Sequence, residues 1–459
     1  MSTKFKTSLK ILETYVKHRH YTPRYKTRAQ LKAYQNRKLL IHIAWAMENS
    51  LFYKKYFQRF SRNPLDLLQM WEQIPPINKQ VMMENFDTLN TKGLKQEEVF
   101  SHTLKAEVAR EKAAKLNGSI VGLSTGTSGR RGIFVVSDEE HAAYVGYVLA
   151  RVRQNSIFRK NRVAVFLRSD NLLYQAPVSS HFQYLFFNTF DDPSSWKESL
   201  QSFNPTVIIA PPTVLAVLGE MLKAQKLSVR PNEIVSVGEV LEPESRAELE
   251  QIFGLMVHQY YQCTEGILGL SCLEGKIHLS EDIIRFDREI VQVADIKHGR
   301  AFIPILSDFT RKSLPLLRYR LDDILILSEK PCSCGSPFLA LERIVGREAD
   351  LFYFLDFKNM HKPIFGDVLV RIATRCGFEL RVLKIEQTTL NSLLVSVENL
   401  LSESQKLEIT QLWRQYFDER NLVFPKIDWE MNQNRQSHLT KKYRRIVSSL
   451  SLGQDAQIE

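Results

Sequence analysis

The hydrophobic rhythm of the chain changes three times along its length. Over residues 1–70 apolar positions recur at helical spacing: Leu9, Leu12 and Val16, then Leu39, Leu40, Ile43 and Trp45. That periodicity predicts a helical start. Pro75-Pro76 breaks it. Between about 118 and 330, short apolar runs alternate with longer amphipathic stretches. Residues 163–167, 207–210 and 234–237 read as strands, with helices between them over 212–223 and 243–252. Unbroken apolar runs are what strands covered on both faces require, so the alternation predicts α/β layering with a largely parallel sheet. Past Gly346-Arg347 the runs shorten. Residues 380–385 and 392–397 read as strands and 402–420 as a helix, followed by a basic tail. The expected fold class is α/β. A large domain, 1–348, has layered, mostly parallel sheets and helices, and a small α+β domain, 349–459, follows it.

Ligands of parallel sheets bind at the carboxyl ends of the strands, and several polar motifs fall at such ends. Ser124-Thr125-Gly126-Thr127-Ser128-Gly129-Arg130-Arg131-Gly132 packs glycines, hydroxyls and two arginines into one loop. Glycine permits positive φ and close approach of backbone to a ligand. Successive backbone N–H groups can form an anion nest, and the arginines add fixed charge. The loop reads as a phosphate grip; a flexible Ser/Thr/Gly surface loop is the alternative. It is not a Walker loop, which has Lys and Ser/Thr directly after its last glycine. Tyr260-Tyr261-Gln262-Cys263-Thr264-Glu265-Gly266 follows an apolar run. Its ring can stack on a base, Thr264 can donate to a phosphate, and Glu265 can hold magnesium. An exposed loop with an ordinary surface Glu is the alternative there. Leu316–Asp323 closes on two carboxylates, and Asp323 can accept from both hydroxyls of a ribose. The alternative is an Arg–Asp network.

Taken in order, these pieces resemble the acyl-adenylate-forming (AMP-binding) superfamily, most of all its phenylacetate–CoA ligase-like branch. The family's phosphate loop, Tyr-x-x-Thr-Glu segment, Tyr-Arg-x-x-Asp segment and Gly-Arg-x-x-Asp junction match Ser124–Gly129, Tyr261–Glu265, Tyr319–Asp323 and Gly346–Asp350. Its late lysine matches Lys441, within Thr440-Lys441-Lys442-Tyr443-Arg444-Arg445. Ser50–Tyr53, Ile74–Lys79 and Val237–Leu241 also resemble the branch, and the similarity weakens beyond Asp350.

The resemblance implies ATP-dependent adenylation of a small carboxylic acid with release of pyrophosphate. Transfer to the thiol of coenzyme A or of an acyl carrier protein then follows. Carried over by position, Ser124, Thr125, Gly126, Thr127, Ser128, Gly129 and Arg130 hold the β- and γ-phosphates. Gly238 and Glu239 border the adenine, and Tyr261 lies against its ring. Thr264 contacts the α-phosphate, Glu265 binds magnesium, Asp323 takes the ribose hydroxyls, and Arg347 reaches the ribose or a phosphate. Lys441, Thr264 and Glu265 are the catalytic set, with Lys441 bridging the attacking carboxylate and the α-phosphate from a mobile small domain. Lys442 stands beside it in the same basic run, and the family's Lys-x-x-Arg spacing favours Lys441. Two other readings share the nucleotide residues: adenylyl transfer to a hydroxyl of a coenzyme-like acceptor, and a nucleotide-binding protein that has lost catalysis. Intact Thr264, Glu265, Asp323 and Lys441 argue against loss.

Four departures narrow the inference. The family's Tyr-Arg-Thr-Gly-Asp reads Tyr319-Arg320-Leu321-Asp322-Asp323, which keeps the aspartate. The hinge position is Ala349, and Leu351–Phe357 replaces a glycine- and valine-rich segment that helps receive the thiol. Arg168-Ser169-Asp170-Asn171 stands where phenylacetate enzymes carry a glycine-rich acyl-pocket stretch, so the acid is not assigned.

Composition changes the picture in two places. The net charge is +11, and residues 1–40 hold many Lys and Arg against the single acid Glu13. Such a balance suits polyanionic partners such as ATP, coenzyme A or an acidic carrier protein. Neither nucleic acid nor membrane is expected as a partner, no apolar run is long enough to span a bilayer, and the cytoplasm is the expected location. A homodimer is left open. The odd count of five cysteines argues against a disulfide framework. Cys272-x5-His278 and Cys332-x-Cys334 together make a Cys₃His inventory for a tetrahedral zinc, with Gly335 permitting a tight knuckle. Four protein ligands would make the metal structural, and three ordinary buried cysteines with an unrelated histidine is the alternative.

Overall fold

The computed structural model describes residues 3–21, 25–109, 115–124, 131–151, 160–167, 182–293, 296–297, 299–374, 376, 383–397, 401–431 and 446–448. Thr125, Gly126, Thr127, Ser128, Gly129, Arg130, Arg168–Asn171, Lys441 and Lys442 lie outside the described residues. The chain divides into two units. One comprises 1–288, 304–321 and 327–343; the other comprises 289–303, 322–326 and 344–459.

The first unit begins with helices Thr3–Val16, Arg28–Asn49, Leu51–Gln58 and Pro64–Gln69. Polar caps set their starts. The Ser50 side chain accepts from Tyr53 N–H, and the Asn63 side chain accepts from Leu65 N–H, with proline at the first helical position after it. Further along, seven strands lie side by side. Their order is Ile277–Leu279, Gly266–Ser271, Val257–Cys263, Glu233–Val237, Val207–Ala210, Asn161–Leu167 and Phe182–Asn188. The last five run parallel to one another and the first two antiparallel.

The parallel strands are joined by helices Pro193–Phe203, Pro212–Lys223 and Pro243–Phe253. Proline opens each helix, and left-handed Asn204 and Gly254 close two of them. These helices cover one face of the sheet. Phe166, Ile208, Ile234 and Val257 pack there against Trp196, Leu215 and Leu249. Side chains alternate across a strand, so Glu233, Val235 and Val237 must face the other way. They share rows on that face with Val207, Ile209, His258 and Tyr260.

Helix Asp138–Arg151 meets the N-terminal helix at Gly146, where an added Cβ would stand 2.5 Å from the Ile11 carbonyl oxygen. Asp282 ties this corner together. Its carboxylate takes His18 Nδ1 at 2.8 Å, the Tyr147 hydroxyl at 2.8 Å and Arg151 Nη2 at 2.7 Å. Burial pushes this carboxyl up, but Arg151 and His18 outweigh burial and hold it well below the ordinary carboxylate range.

The second unit holds an antiparallel hairpin, Leu351–Leu355 with His361–Phe365. It also holds a four-stranded sheet in the order Lys426–Met431, Ser392–Val397, Lys384–Thr389, Ile446–Ser448. Helices Gly366–Thr374 and Glu403–Asp418 pack with it around Phe352, Phe354, Trp413 and Phe417. Ser402 and Gln405 form a capping box at the start of the longer helix. The strand expected at 380–385 is described only from Lys384, because 377–382 lie outside the described residues. Among the described residues no helix is long and apolar enough to cross a membrane.

Candidate functional site

The glycine-rich loop springs from a closed neck. Strands Ile120–Leu123 and Ile133–Val136 pair antiparallel, with Leu123 opposite Ile133. Beyond that pair, Ser124 N–H donates to Gly132 O at 2.7 Å, and Gly132 N–H donates to the Ser124 hydroxyl at 2.7 Å. Arg131 Nε donates to the Ser124 carbonyl at 2.9 Å. The neck therefore holds the two ends of the loop at fixed separation, while Thr125 to Arg130 lie outside the described residues.

A lysine arrives at this neck from far away in sequence. Lys79 Nζ donates to the Ser124 hydroxyl at 3.1 Å. Pro75-Pro76 keeps the preceding segment extended, so Ile77 can bridge to Tyr319: Ile77 N–H reaches Arg318 O and Arg320 N–H reaches Ile77 O, both at 2.8 Å. Asn78 then caps helix Lys79–Glu84, its side chain accepting from Val81 N–H, and Lys79 opens that helix. Buried Arg318 braces the arrangement. Its guanidinium donates to Ile74 O at 2.9 Å and Glu72 O at 3.2 Å, and pairs with Asp287 at 3.1 Å. From the other side Tyr53, fully buried, accepts from Leu317 N–H at 2.9 Å. The Ser50–Tyr53 and Ile74–Lys79 stretches thus act as a frame for residues 317–320.

The same frame aims a carboxylate. The Tyr319 hydroxyl donates to Glu265 Oε1 at 3.0 Å. Thr264 and Glu265 form the turn between strands Val257–Cys263 and Gly266–Ser271, at the carboxyl end of the former. Gly266 follows at φ +149°, a conformation that favours glycine. Arg311 Nη2 donates to the Thr264 carbonyl at 2.7 Å. Ser124, Gly132, Thr264, Glu265 and Arg311 line one cleft, closed by Met82 and Leu316. A hydroxyl, a carboxylate and a guanidinium around one opening can receive a phosphate chain and its cation.

The remaining nucleotide candidates of this unit stand at strand ends. Gly238, at φ +75°, and Glu239 follow strand Glu233–Val237. Glu239 accepts from the Thr213 hydroxyl at 2.9 Å, which links it to the start of helix Pro212–Lys223. Tyr261 is buried in its strand, just before a register shift. In the second unit, Arg347 Nε lies 3.8 Å from Asp323 Oδ1. The Gly-Arg-x-x-Asp spacing there is a turn: Asp350 Oδ2 accepts Arg347 N–H at 3.0 Å, and Gly346 adopts φ +150°. Lys441 lies outside the described residues.

The Cys₃His set is gathered in the first unit. The ligand atoms of Cys272, His278, Cys332 and Cys334 all lie within 4.8 Å of one another. Cys272 Sγ is 3.6 Å from Cys332 Sγ, and Cys334 Sγ is 3.4 Å from His278 Nε2. Zn–S bonds of about 2.3 Å in a tetrahedron would put two sulfurs about 3.8 Å apart. His278 Nδ1 lies 3.0 Å from the Phe338 carbonyl, which leaves Nε2 as the ligating nitrogen. Both cysteine segments are tight turns: Gly275 N–H donates to Cys272 O, Gly335 N–H donates to Cys332 O, and both glycines have positive φ. The four residues fit a closed structural zinc site.

Two residues, Arg311 in the cleft and Lys79 on the Ser124 hydroxyl, are not singled out as site residues by their local sequence. Lys79 sits in a stretch that resembles the branch, yet nothing in the residues beside it points to Ser124. Arg311 follows Asp308-Phe309-Thr310, whose aspartate accepts from both the Thr310 backbone and hydroxyl; that turn is the only local signal.

No family model matches the chain. The phenylacetate-coenzyme A ligase of Thermus thermophilus is 27% identical over 165 residues, 33% of this chain and 36% of that enzyme. The match therefore spans little more than a third of that relative. Protein CapK of Staphylococcus aureus is 23% identical over 351 residues, 74% of this chain and 72% of that protein. Among solved structures, 2-hydroxyisobutyryl-CoA ligase in its postadenylation state, in complex with 2-HIB-AMP, superposes with a TM-score of 0.58 at 17% identity. That superposition covers 92% of this chain and 90% of the other. The GH3.15 acyl acid amido synthetase superposes at 0.51 with 11% identity, over 93% and 92% of the two chains. At such identities the likeness is one of fold.

Proposed function

We propose that this chain belongs to the adenylate-forming superfamily and its phenylacetate–CoA ligase-like branch, a reading supported by its likeness to such ligases, and that it is a ligase activating a small carboxylic acid with ATP. The acid's carboxylate attacks the α-phosphorus, an acyl-adenylate forms, and pyrophosphate leaves. A thiol, that of coenzyme A or of a carrier protein, then takes the acyl group and releases AMP.

The observation that carries this reading is the cleft in which Ser124 stands with Thr264, Glu265 and Arg311, while Lys79 donates to the Ser124 hydroxyl. A carboxylate attacking a triphosphate brings like charges together, so the reaction needs cationic and donor groups fixed before it starts. Lys79 supplies the ammonium that the glycine-rich loop itself lacks. Thr264 donates to the α-phosphate. Tyr319 holds Glu265 by one oxygen and leaves the other for a cation. Magnesium, bound at Glu265, would neutralise charge on the phosphates as the pentavalent centre forms. Asp323 takes the ribose hydroxyls, with Arg347 beside it, and Gly238, Glu239 and Tyr261 border the adenine. Lys441 bridges the two reacting groups, and zinc on Cys272, His278, Cys332 and Cys334 has a structural role only. The homodimer and the cytoplasmic location remain parts of this proposal.

The experiment is ATP–pyrophosphate exchange over a panel of carboxylic acids. Exchange that requires both an acid and magnesium supports the reading. No exchange with any acid, together with no ATP binding, contradicts it.

A further inference from the structure

We propose that the outer face of helix Thr3–Val16 docks on the surface of an anionic lipid bilayer, its apolar row entering the headgroup region and the cations beside it meeting the lipid anions. No membrane partner is expected from the sequence, because no apolar run is long enough to span a bilayer. A helix that lies in the interface needs only one apolar face. The docking does not depend on the adenylation reading.

The helix is oriented the reverse of the usual way. A surface helix normally presses its apolar stripe onto the core and leaves its polar face in water. Here the inward face carries Thr14 and Tyr15, and His18 follows in the continuation Lys17–Tyr21; all three are buried. Contact on that side is tight: a Cβ added at Gly146 of helix Asp138–Arg151 would stand 2.5 Å from the Ile11 carbonyl oxygen and 2.8 Å from Thr14 Cβ. His18 Nδ1 is tied to Asp282 at 2.8 Å. The helix therefore cannot roll to bury its other side. On that other side Phe5, Leu9, Leu12 and Val16 are 52, 53, 47 and 37% exposed. At 3.6 residues per turn the four lie within about 60° of one another and span about 17 Å of helix, so they form one row. Scattered exposed apolar residues are ordinary, but a contiguous row marks an interaction surface.

Charge says what covers the row. Lys6 and Lys17 stand exposed on the helix and its continuation. The single acid of residues 1–40, Glu13, pairs with Lys10 at 3.2 Å. Partial burial, and after it Lys17 and Arg37, hold the Lys38 ammonium below its ordinary value, so these three cations stand within electrostatic reach of one another. Among the described residues no carboxylate pairs with any of the three. Like charges repel, so two copies of this basic face are unsuited to each other, and the occupant must be anionic. A row projecting from a convex helix would need a matching groove on a protein partner. A bilayer needs none, because its headgroup region yields to the side chains. Binding at such an interface grows with the apolar area buried and with attraction to anionic lipid, and this helix supplies both.

The test is flotation of the full chain with two kinds of vesicle: phosphatidylcholine alone, and phosphatidylcholine in which about a third of the lipid is phosphatidylserine. Binding to the anionic vesicles is expected to be about tenfold or more stronger than to the neutral ones, and to weaken as salt screens the cations. Leu9→Glu combined with Leu12→Glu lowers it about tenfold or more at an unchanged melting temperature, because both side chains are exposed. Lys6→Glu combined with Lys17→Glu lowers it while the apolar row stays intact. Should the leucine pair lower the melting temperature, Leu9→Gln alone carries the same readout. No binding, equal binding to the two kinds of vesicle, or binding untouched by the leucine variants overturns the proposal. Without lipid, a wild type that dimerises through Leu9 and Leu12, or takes up a purified acyl carrier protein through them, while ignoring vesicles, assigns the face to a protein partner and likewise overturns it.

Discussion

The ammonium of Lys79 donates to the hydroxyl of Ser124 at 3.1 Å, across 45 residues of sequence. The contact exists because Ile77 bridges to Tyr319 and Asn78 starts a helix at Lys79. If Lys79 is the cation of the phosphate loop, Lys79→Ala lowers exchange by up to about 10²-fold, the order lost with one hydrogen bond between charged groups in binding. The loss falls mainly on the KM for ATP, and Lys79→Arg restores part of it. Unchanged ATP kinetics in a folded Lys79→Ala protein would show the contact to be structural.

Gly132 is the close neighbour of that lysine. An added Cβ would stand 2.8 Å from Lys79 Cε and 3.6 Å from the Ser124 hydroxyl oxygen. The side chain that must move is the far end of a flexible lysine, so Gly132→Ala is expected to change stability by less than about 1 kcal/mol. It displaces the ammonium, so exchange falls severalfold through the same KM. Thermal melting and ATP titration of this one variant separate the two effects.

The four metal-type ligands make a compositional prediction. Purified protein contains about one zinc per chain, and Cys332→Ser contains none. The variant melts at lower temperature, because a structural zinc site contributes folding free energy directly. Chelation lowers the melting temperature of the wild type toward that of the variant. A metal-free wild type that melts identically with and without chelator removes the zinc from the account.

Glu233 makes stability depend on pH in a defined direction. Its folded carboxyl lies at about 7, above an unfolded value near 4.3. Between those values the folded state binds more protons, so stability falls as pH rises from about 4 to about 7 and stays lower above it. The shift corresponds to about 4 kcal/mol. Glu233→Gln removes the titration. Relative to wild type it should gain stability at pH 8 and lose that gain at pH 4, read by denaturant unfolding. Parallel stability curves for the two proteins would contradict the assignment.

Much of the fold was legible, for identifiable reasons. The strands at 163–167, 207–210 and 234–237 read clearly because burial on both faces demands unbroken apolar runs. The helices between them read clearly because proline opens each one. Thr264 and Glu265 could be placed at a strand end, since Val257–Cys263 is apolar at its start and polar at its finish. The Cys₃His inventory could be counted, but its assembly depends on strand Ile277–Leu279 lying between Gly266–Ser271 and Ala340–Arg347. That pairing has no local signature. Lys79 could not be aimed at Ser124 from sequence, because its position depends on a bridge to Tyr319 more than two hundred residues away. Glu233 was passed over because a charged residue just before an apolar run reads as the solvated start of a strand. Only the register shows it inside.

The most direct test of the central claim follows the oxygen. An acid that supports exchange is labelled with ¹⁸O in its carboxyl group and turned over with ATP and a thiol acceptor. Attack by the carboxylate on the α-phosphorus leaves one carboxyl oxygen on the phosphate, so the account predicts ¹⁸O in the AMP released. AMP free of label, with the label retained in the acid or its product, would contradict acyl-adenylate formation.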